Sequence, residues 1–206
     1  MNEELLPLFP LQVVLFPHAA LPLHIFEERY RTLLRTCIRE SSEFGVVMMK
    51  GEEMADVGCS AAVTSVLQMY EDGRMDVLVE GRRRFRTEHV DDTQALYLVG
   101  TVEYIEERNE LPDTNRFSET VRLYNQLVTL VYAGKVKLLD PDVVLPDLSF
   151  VMAQKAGMDL EQRQELLEGE TEDERLEMLH EYLTAVLPRL KKLEEVERII
   201  RSDGYL

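Results

Sequence analysis

Val57-Gly58-Cys59-Ser60-Ala61-Ala62-Val63-Thr64-Ser65-Val66-Leu67-Gln68-Met69-Tyr70-Glu71-Asp72-Gly73-Arg74-Met75-Asp76-Val77-Leu78-Val79-Glu80 is the stretch that decides the fold. Ala61 to Tyr70 and Met75 to Glu80 alternate in character as half-buried strands do. The Asp72-Gly73 pair between them signals a tight hairpin, because glycine accepts the positive φ that such a turn requires. Arg82 to Val90 extends the meander, and Leu96 to Ile105 reads as a further strand with Leu96, Leu98, Val102 and Tyr104 on one side.

Upstream of the hairpin, Phe44 to Met49 is a short apolar run with the length of a buried strand. A polar loop from Gly51 to Gly58 follows it. Tyr30, Leu33, Leu34, Cys37 and Ile38 fall on one face at helical spacing, which predicts one helix packed on the sheet. Leu8 to Leu15 reads as a strand with an irregular start at Pro10. Pro17 and Pro22 bracket an extended turn, since each proline disfavours helix at the residue before it.

Downstream the texture changes. Glu106 to Asn115 is a polar linker, and long helical patterns follow. Phe117, Val121, Tyr124, Leu127, Val128 and Val131 mark one helix, with Gly134 as its C-terminal cap. Pro146 to Ala156 is a second helix and Asp159 to Glu168 a third, with Gln162 answering Asp159 in a capping pattern. Thr171 and Glu174 repeat that pattern at the start of the longest helix. Its predicted core positions are Leu176, Leu179, Leu183, Val186, Leu190, Leu193 and Ile200, and Pro188 inside it predicts a kink. The expected organisation is a mostly β part over residues 1–110 and an α-helical part over 111–206.

With 206 residues, 45% hydrophobic and 30% charged, the chain has the composition of a globular protein large enough to bury its own core. No stretch has the ~20 apolar residues of a membrane helix. Met1-Asn2-Glu3-Glu4 lacks the basic start of a secretory signal, and two cysteines make no disulfide framework; both features predict a cytoplasmic protein. The net charge of −16 repels polyanions, which argues against nucleic acid as a partner. Ten acidic residues between Asp159 and Glu181 read as a solvated helix face.

Three stretches resemble the amino-terminal, substrate-binding domain of Lon-type ATP-dependent proteases. Leu6 to Pro17, then Leu21-Pro22-Leu23 and the helix starting at Glu27, match its opening strand, proline-bracketed turn and helix. Val57-Gly58-Cys59, Val66-Leu67-Gln68, Asp72-Gly73 and Val77 through Phe85, with Glu80-Gly81-Arg82, match its most specific signature. Gln162 to Glu168 and Glu174-Arg175-Leu176 look like the helix pair that closes it. The resemblance implies an α+β fold: a PUA-like β pseudo-barrel with one packed helix, then a helical bundle ending in a long kinked helix. It also implies a non-catalytic module that binds unfolded or apolar polypeptide, or docks to a protease or chaperone.

No G-x-x-x-x-G-K-[ST] loop is present, so no ATP-binding site is expected. No cofactor and no metal are expected either. Cys37 and Cys59 read as packed thiols, and His18, His24, His89 and His180 lack metal-ligand spacing. His24 with Glu27 and Glu28 is the one local cluster of metal-type ligands. Arg82, Arg83, Arg84 and Arg86 form a basic cluster that salt bridges would absorb; on a regular strand Arg82, Arg84 and Arg86 would share a side. An RNA-binding role and a hydrolase with an unrecognised site are the alternatives. The predicted protein-binding surface is the turn carrying Phe16, Pro17, His18, Leu21, Pro22 and Phe26, because a proline-braced loop costs little ordering entropy on binding.

Overall fold

The computed structural model describes residues 4–93, 95–106 and 111–202. The central part of the predicted linker, 107–110, lies outside the described residues. Among the described residues, twelve elements follow in chain order. They are β1 (Glu4–Leu11), β2 (Ala20–Ile25), α1 (Glu28–Glu40), β3 (Phe44–Lys50), β4 (Glu53–Met54), β5 (Val57–Met69), β6 (Met75–Asp91) and β7 (Val99–Tyr104), then α2 (Thr114–Tyr132), α3 (Leu148–Ala153), α4 (Leu160–Glu168) and α5 (Glu172–Ser202). The chain divides into two compact units, one of Met1–Glu106 with Asp159–Glu168 and the other of Glu107–Met158 with Gly169–Leu206. The ten residues of α4 and its cap therefore group with the strands rather than with the other late helices.

In the first unit the sheet order is β1-β7-β6-β5-β3-β4, with β2 added to β6. β1 spends its first half, Glu4 to Pro7, against β7 and its second half, Leu8 to Leu11, in parallel against β3. The order of pairings thus returns to its start and makes the expected pseudo-barrel rather than a regular closed barrel. Leu6, Leu8, Val47, Phe85 and Val102 fill one core cluster inside it. Helix α1 buries Tyr30, Leu33, Leu34 and Cys37, while Ile38 stays partly exposed.

The hairpin forms where predicted, and Gly73 takes a φ of 85°. Both strands are longer than their alternating segments. β6 is one strand of seventeen residues that borders β5, β7 and β2. Two glycines of the signature admit bulky neighbours. A Cβ on Gly58 would come within 2.6 Å of the Phe85 ring, and one on Gly81 would collide with the Phe16 carbonyl oxygen.

Several expectations need correction. The first strand ends at Leu11; Val13 to Phe16 is a mostly buried loop whose apolar residues mimic a strand. Ala20 to Ile25 is a strand on the outer edge of β6, where Pro22 needs no N–H on its solvent side. Leu96 is 67% exposed and β7 begins only at Val99. The side shared by Arg82, Arg84 and Arg86 is broken by a bulge, because two residues of β6, Arg82 and Arg83, oppose one of β5, Ser60, between Gly81↔Ala61 and Arg84↔Cys59. Arg82 and Arg83 are both exposed, whereas Arg84 and Phe85 are both buried. The buried Ser60 hydroxyl accepts the Arg83 N–H, 3.1 Å away, at this irregularity.

Helix α4 is tied to the strands by polar side chains. The Gln164 amide donates to the Val57 carbonyl at 3.0 Å, Arg84 donates to the Leu167 carbonyl at 2.6 Å, and Lys50 pairs with Glu161 at 2.6 Å. The predicted capping box is present: Gln162 N–H donates to Asp159 at 2.9 Å, and Asp159 N–H to Gln162 at 3.1 Å.

In the second unit, α5 packs on α2 and α3. Phe117, Val121, Tyr124, Leu127 and Val128 are buried as predicted, but Val131 is exposed. The Asn125 side chain holds the loop after α2 by donating to the Leu139 carbonyl and accepting the Leu139 N–H. The second capping box, Thr171 with Glu174, starts α5. Glu172 departs from the solvated face predicted for the acidic run. It is buried against Ser149 and Arg175, and burial pushes its carboxyl up against the pull of those hydrogen bonds. The buried side of α5 ends at Leu187; Leu193 and Ile200, predicted as core, are 62% and 46% exposed. The helix runs through Pro188.

Candidate functional site

The turn predicted to bind protein splits in two. Phe16 is fully buried, and the Arg163 guanidinium from α4 lies 4.8 Å over its ring. Arg163 also donates to the Val14 carbonyl at 3.2 Å. Pro17 is buried too. Both residues therefore leave the candidate surface, Phe16 as part of the seat of α4. His18 is exposed with a φ of 61°, and its backbone N–H donates to the Gly81 carbonyl at 2.9 Å. Gly81 N–H donates in turn to the Ala19 carbonyl at 3.0 Å, so the turn is bound to β6 on both sides. Leu21 is half-buried, Pro22 exposed, and Phe26 is 62% exposed.

Phe26 borders a cleft of about 270 Å³ between β1, the end of β2 and the start of α1. Apolar and aromatic side chains from Phe9, Leu11, Leu23, Ile25 and Tyr30 line it. Phe9 and Tyr30 stack with centroids 4.1 Å apart. Arg29 covers the other side of Tyr30 at 4.6 Å and pairs with Glu27 at 2.7 Å. Such a space suits one or two apolar side chains with a charged rim.

On the adjoining strands a polar chain runs beside Phe26. His24 Nδ1 lies 2.5 Å from Asp76, whose other oxygen accepts the Tyr70 hydroxyl at 2.7 Å. The His24 hydrogen bond, helped by that from Tyr70, holds the Asp76 carboxyl below its ordinary value. The carboxylate conversely pushes the Tyr70 hydroxyl up. This placement corrects the local cluster of His24, Glu27 and Glu28. His24 faces Asp76, 52 positions away, and Glu27 faces Arg29. Among the described residues no group of three histidine, cysteine or carboxylate side chains is placed to hold a metal. Tyr70 and Asp76 were invisible as partners of His24 until the β2–β6 register was known.

A second apolar surface lies on β5. Its first five residues, Val57 to Ala61, are buried, and its last six, Thr64 to Met69, are exposed. Val66, Leu67 and Met69 are 41%, 57% and 53% exposed. Among the described residues no strand pairs with the outer edge of β5 beyond Ala61.

The basic cluster is largely neutralised. Arg82 pairs with Glu80 at 3.0 Å, Arg83 lies 3.5 Å over the Tyr104 ring and 3.9 Å from Glu43, and Arg84 is buried. Cys37 and Cys59 are buried, and burial pushes the Cys37 thiol up, away from the reactive thiolate.

The family model of the "ATP-dependent protease La (LON) substrate-binding domain" matches residues 5–185. The chain belongs to this family. The Lon N-terminal domain protein from Xanthomonas campestris has a similar structure, with a TM-score of 0.67 and 26% identity over 85% of this chain and 96% of that one. The N-terminal domain of Mycobacterium avium complex Lon protease shares the fold, with a TM-score of 0.63 at 17% identity. In sequence, Lon protease of Erwinia amylovora is 29% identical over 96% of this chain, and that of Anaeromyxobacter dehalogenans 24% over 96%. The chain spans about a quarter of the length of these curated relatives. As a LON substrate-binding domain it is a substrate-recognition module. Among the described residues no helix is long and apolar enough to cross a membrane.

Proposed function

We propose that this LON substrate-binding domain captures extended, apolar segments of unfolded polypeptide at the cleft beside Phe26. An exposed phenylalanine on a rigid strand-to-helix corner, next to a cleft sized for apolar side chains, is the observation that carries the reading. Pro22, Leu21 and His18 extend the surface along β2 and its turn. A bound segment gains apolar burial at Phe26 and pays little ordering cost, because β6 already braces the corner. The module works without a cofactor and without catalysis; a protease or chaperone partner processes what it holds. RNA is the weaker reading, since the net charge is −16 and Arg82 and Arg83 of the cluster lie beside Glu80 and Glu43.

The test is fluorescence anisotropy of a labelled, permanently unfolded polypeptide titrated with the domain. Saturable binding that Phe26→Ala weakens about tenfold, at unchanged melting temperature, supports the proposal. Binding indifferent to Phe26→Ala and Pro22→Asp rejects this surface.

A further inference from the structure

We propose that the groove between α2 and α5 binds the free C-terminal carboxylate of a polypeptide whose last side chain is apolar. The groove has a volume of about 500 Å³ and is lined by Arg122, Asn125, Gln126, Thr129 and Leu130 of α2 and by Lys191 of α5. Arg122, Gln126 and Thr129 are spaced by one helical turn each and so lie along one face of α2. Arg122, Gln126 and Lys191 are exposed, and Leu130 is half-buried beside them.

The occupant follows from which hydrogen-bonding groups are already used. Lys191 donates to the Gln126 carbonyl oxygen at 2.9 Å. A lysine can only donate, so this bond fixes the amide and turns its NH2 away from Lys191. Asn125 is spent on Leu139, donating to its carbonyl at 2.8 Å and accepting its N–H at 2.9 Å. The Thr129 hydroxyl hydrogen goes to the Asn125 carbonyl at 2.7 Å. Among the described residues the Arg122 guanidinium has no carboxylate partner, and neither Glu119 nor Glu195, one turn away on either helix, forms an ion pair with Arg122 or Lys191. What remains open is a guanidinium, an amide NH2 and the other protons of an ammonium. All are donors and two carry positive charge, so the complement is an anion with two acceptor oxygens. Leu130 and the methylene stems of Arg122 and Lys191 add an apolar wall. A C-terminal residue joins a carboxylate and a side chain at one Cα, and so presents both features together. The net charge of −16 repels such a ligand at long range, but salt screens that repulsion beyond about 8–10 Å and leaves the direct contacts.

The probe is a short peptide, Gly-Ser-Gly-Ser-Ala-Leu, labelled at its N-terminus and titrated with the full chain in an anisotropy assay. Saturable binding is expected with a free C-terminal carboxylate, and the C-terminal amide of the same peptide should bind at least about tenfold more weakly. Ending the peptide in Gly should also cost about tenfold, through the lost apolar contact. Arg122→Gln should weaken the free acid about tenfold or more, Arg122→Lys less, and Lys191→Gln should act in the same direction. Arg122 and Lys191 are exposed, so the melting temperature should hold in each variant. Nitrogen-15 NMR spectra should show the Gln126 side-chain amide shifting with the free acid and not with the amide. Phe26→Ala should leave this binding unchanged, so the groove and the cleft beside Phe26 stand or fall separately. Equal binding of acid and amide, an Arg122→Gln variant that binds like wild type, or no binding of the free acid up to on the order of 1 mM overturns the proposal.

Discussion

Phe16 and Phe26 are ten positions apart, flank the same proline-bracketed turn and are equally apolar, yet one is fully buried and the other 62% exposed. The difference arises far away in sequence. Phe16 is covered by α4, whose Arg163 lies over its ring, and Gly81 lets its carbonyl approach β6. Phe26 sits at the corner where β2 hands over to α1, beside an open cleft. Apolar residues near one another in sequence are therefore not one surface. Here the first anchors the fold and the second stays at the surface.

The largest effect should come from breaking the buried end. Phe16→Ala removes a fully buried ring and should cost about 3–5 kcal/mol. Chemical denaturation should show it as a lower midpoint, with α4 among the segments that lose protection in hydrogen exchange. If the loss is under about 1 kcal/mol, Phe16 is not the anchor described here.

Arg163→Ala comes next. It deletes the cation over Phe16 and the hydrogen bond to Val14, together worth about 1–3 kcal/mol. Arg163→Lys keeps the charge but loses the planar stacking group, and should recover only part of the loss. Full recovery by lysine would mean that charge alone matters.

At the exposed end the signs reverse. Phe26→Ala should change stability by less than about 0.5 kcal/mol while weakening capture of unfolded polypeptide by about 1.4 kcal/mol, or tenfold. A melting temperature that falls as far as in Phe16→Ala would erase the contrast between the two residues.

The smallest effect belongs to the polar chain beside Phe26. Asp76 titrates lower in the fold than its ordinary 3.8, chiefly through the His24 hydrogen bond. Its bonds therefore add stability above that pH, and the addition is lost as pH falls through the depressed folded value. Asp76→Asn should flatten the acid end of the melting-temperature profile, slightly and below about pH 4. An unchanged slope there would show that His24 and Tyr70 do not hold the carboxylate.

How far these features were legible depends on the range of the interaction behind each. The hairpin at Asp72-Gly73 and both capping boxes rest on contacts within about four residues, and each was readable from its own segment. The pseudo-barrel followed from the resemblance and from strand alternation. The end of the buried face of α5 was not readable, because the apolar spacing continues past Leu187 while the burial does not. The pairing of Arg82, Arg84 and Arg86 failed for a similar reason, since a bulge is a property of two strands together. Of the predicted binding residues, Phe26, Pro22 and His18 are exposed, Leu21 is half-buried, and Phe16 and Pro17 are buried. His24, Asp76 and Tyr70 were not legible as a group.

By itself the sequence determined what local chemistry determines: turns, caps, helical and strand periods, and a signature specific enough to place the chain in its family. Only the tertiary structure decided which apolar residues are spent on the fold and which remain at the surface. Alternation and spacing report that a face is apolar. What covers that face comes from elsewhere in the chain, as α4 does for Phe16 across 147 positions, and no local pattern encodes so distant a neighbour.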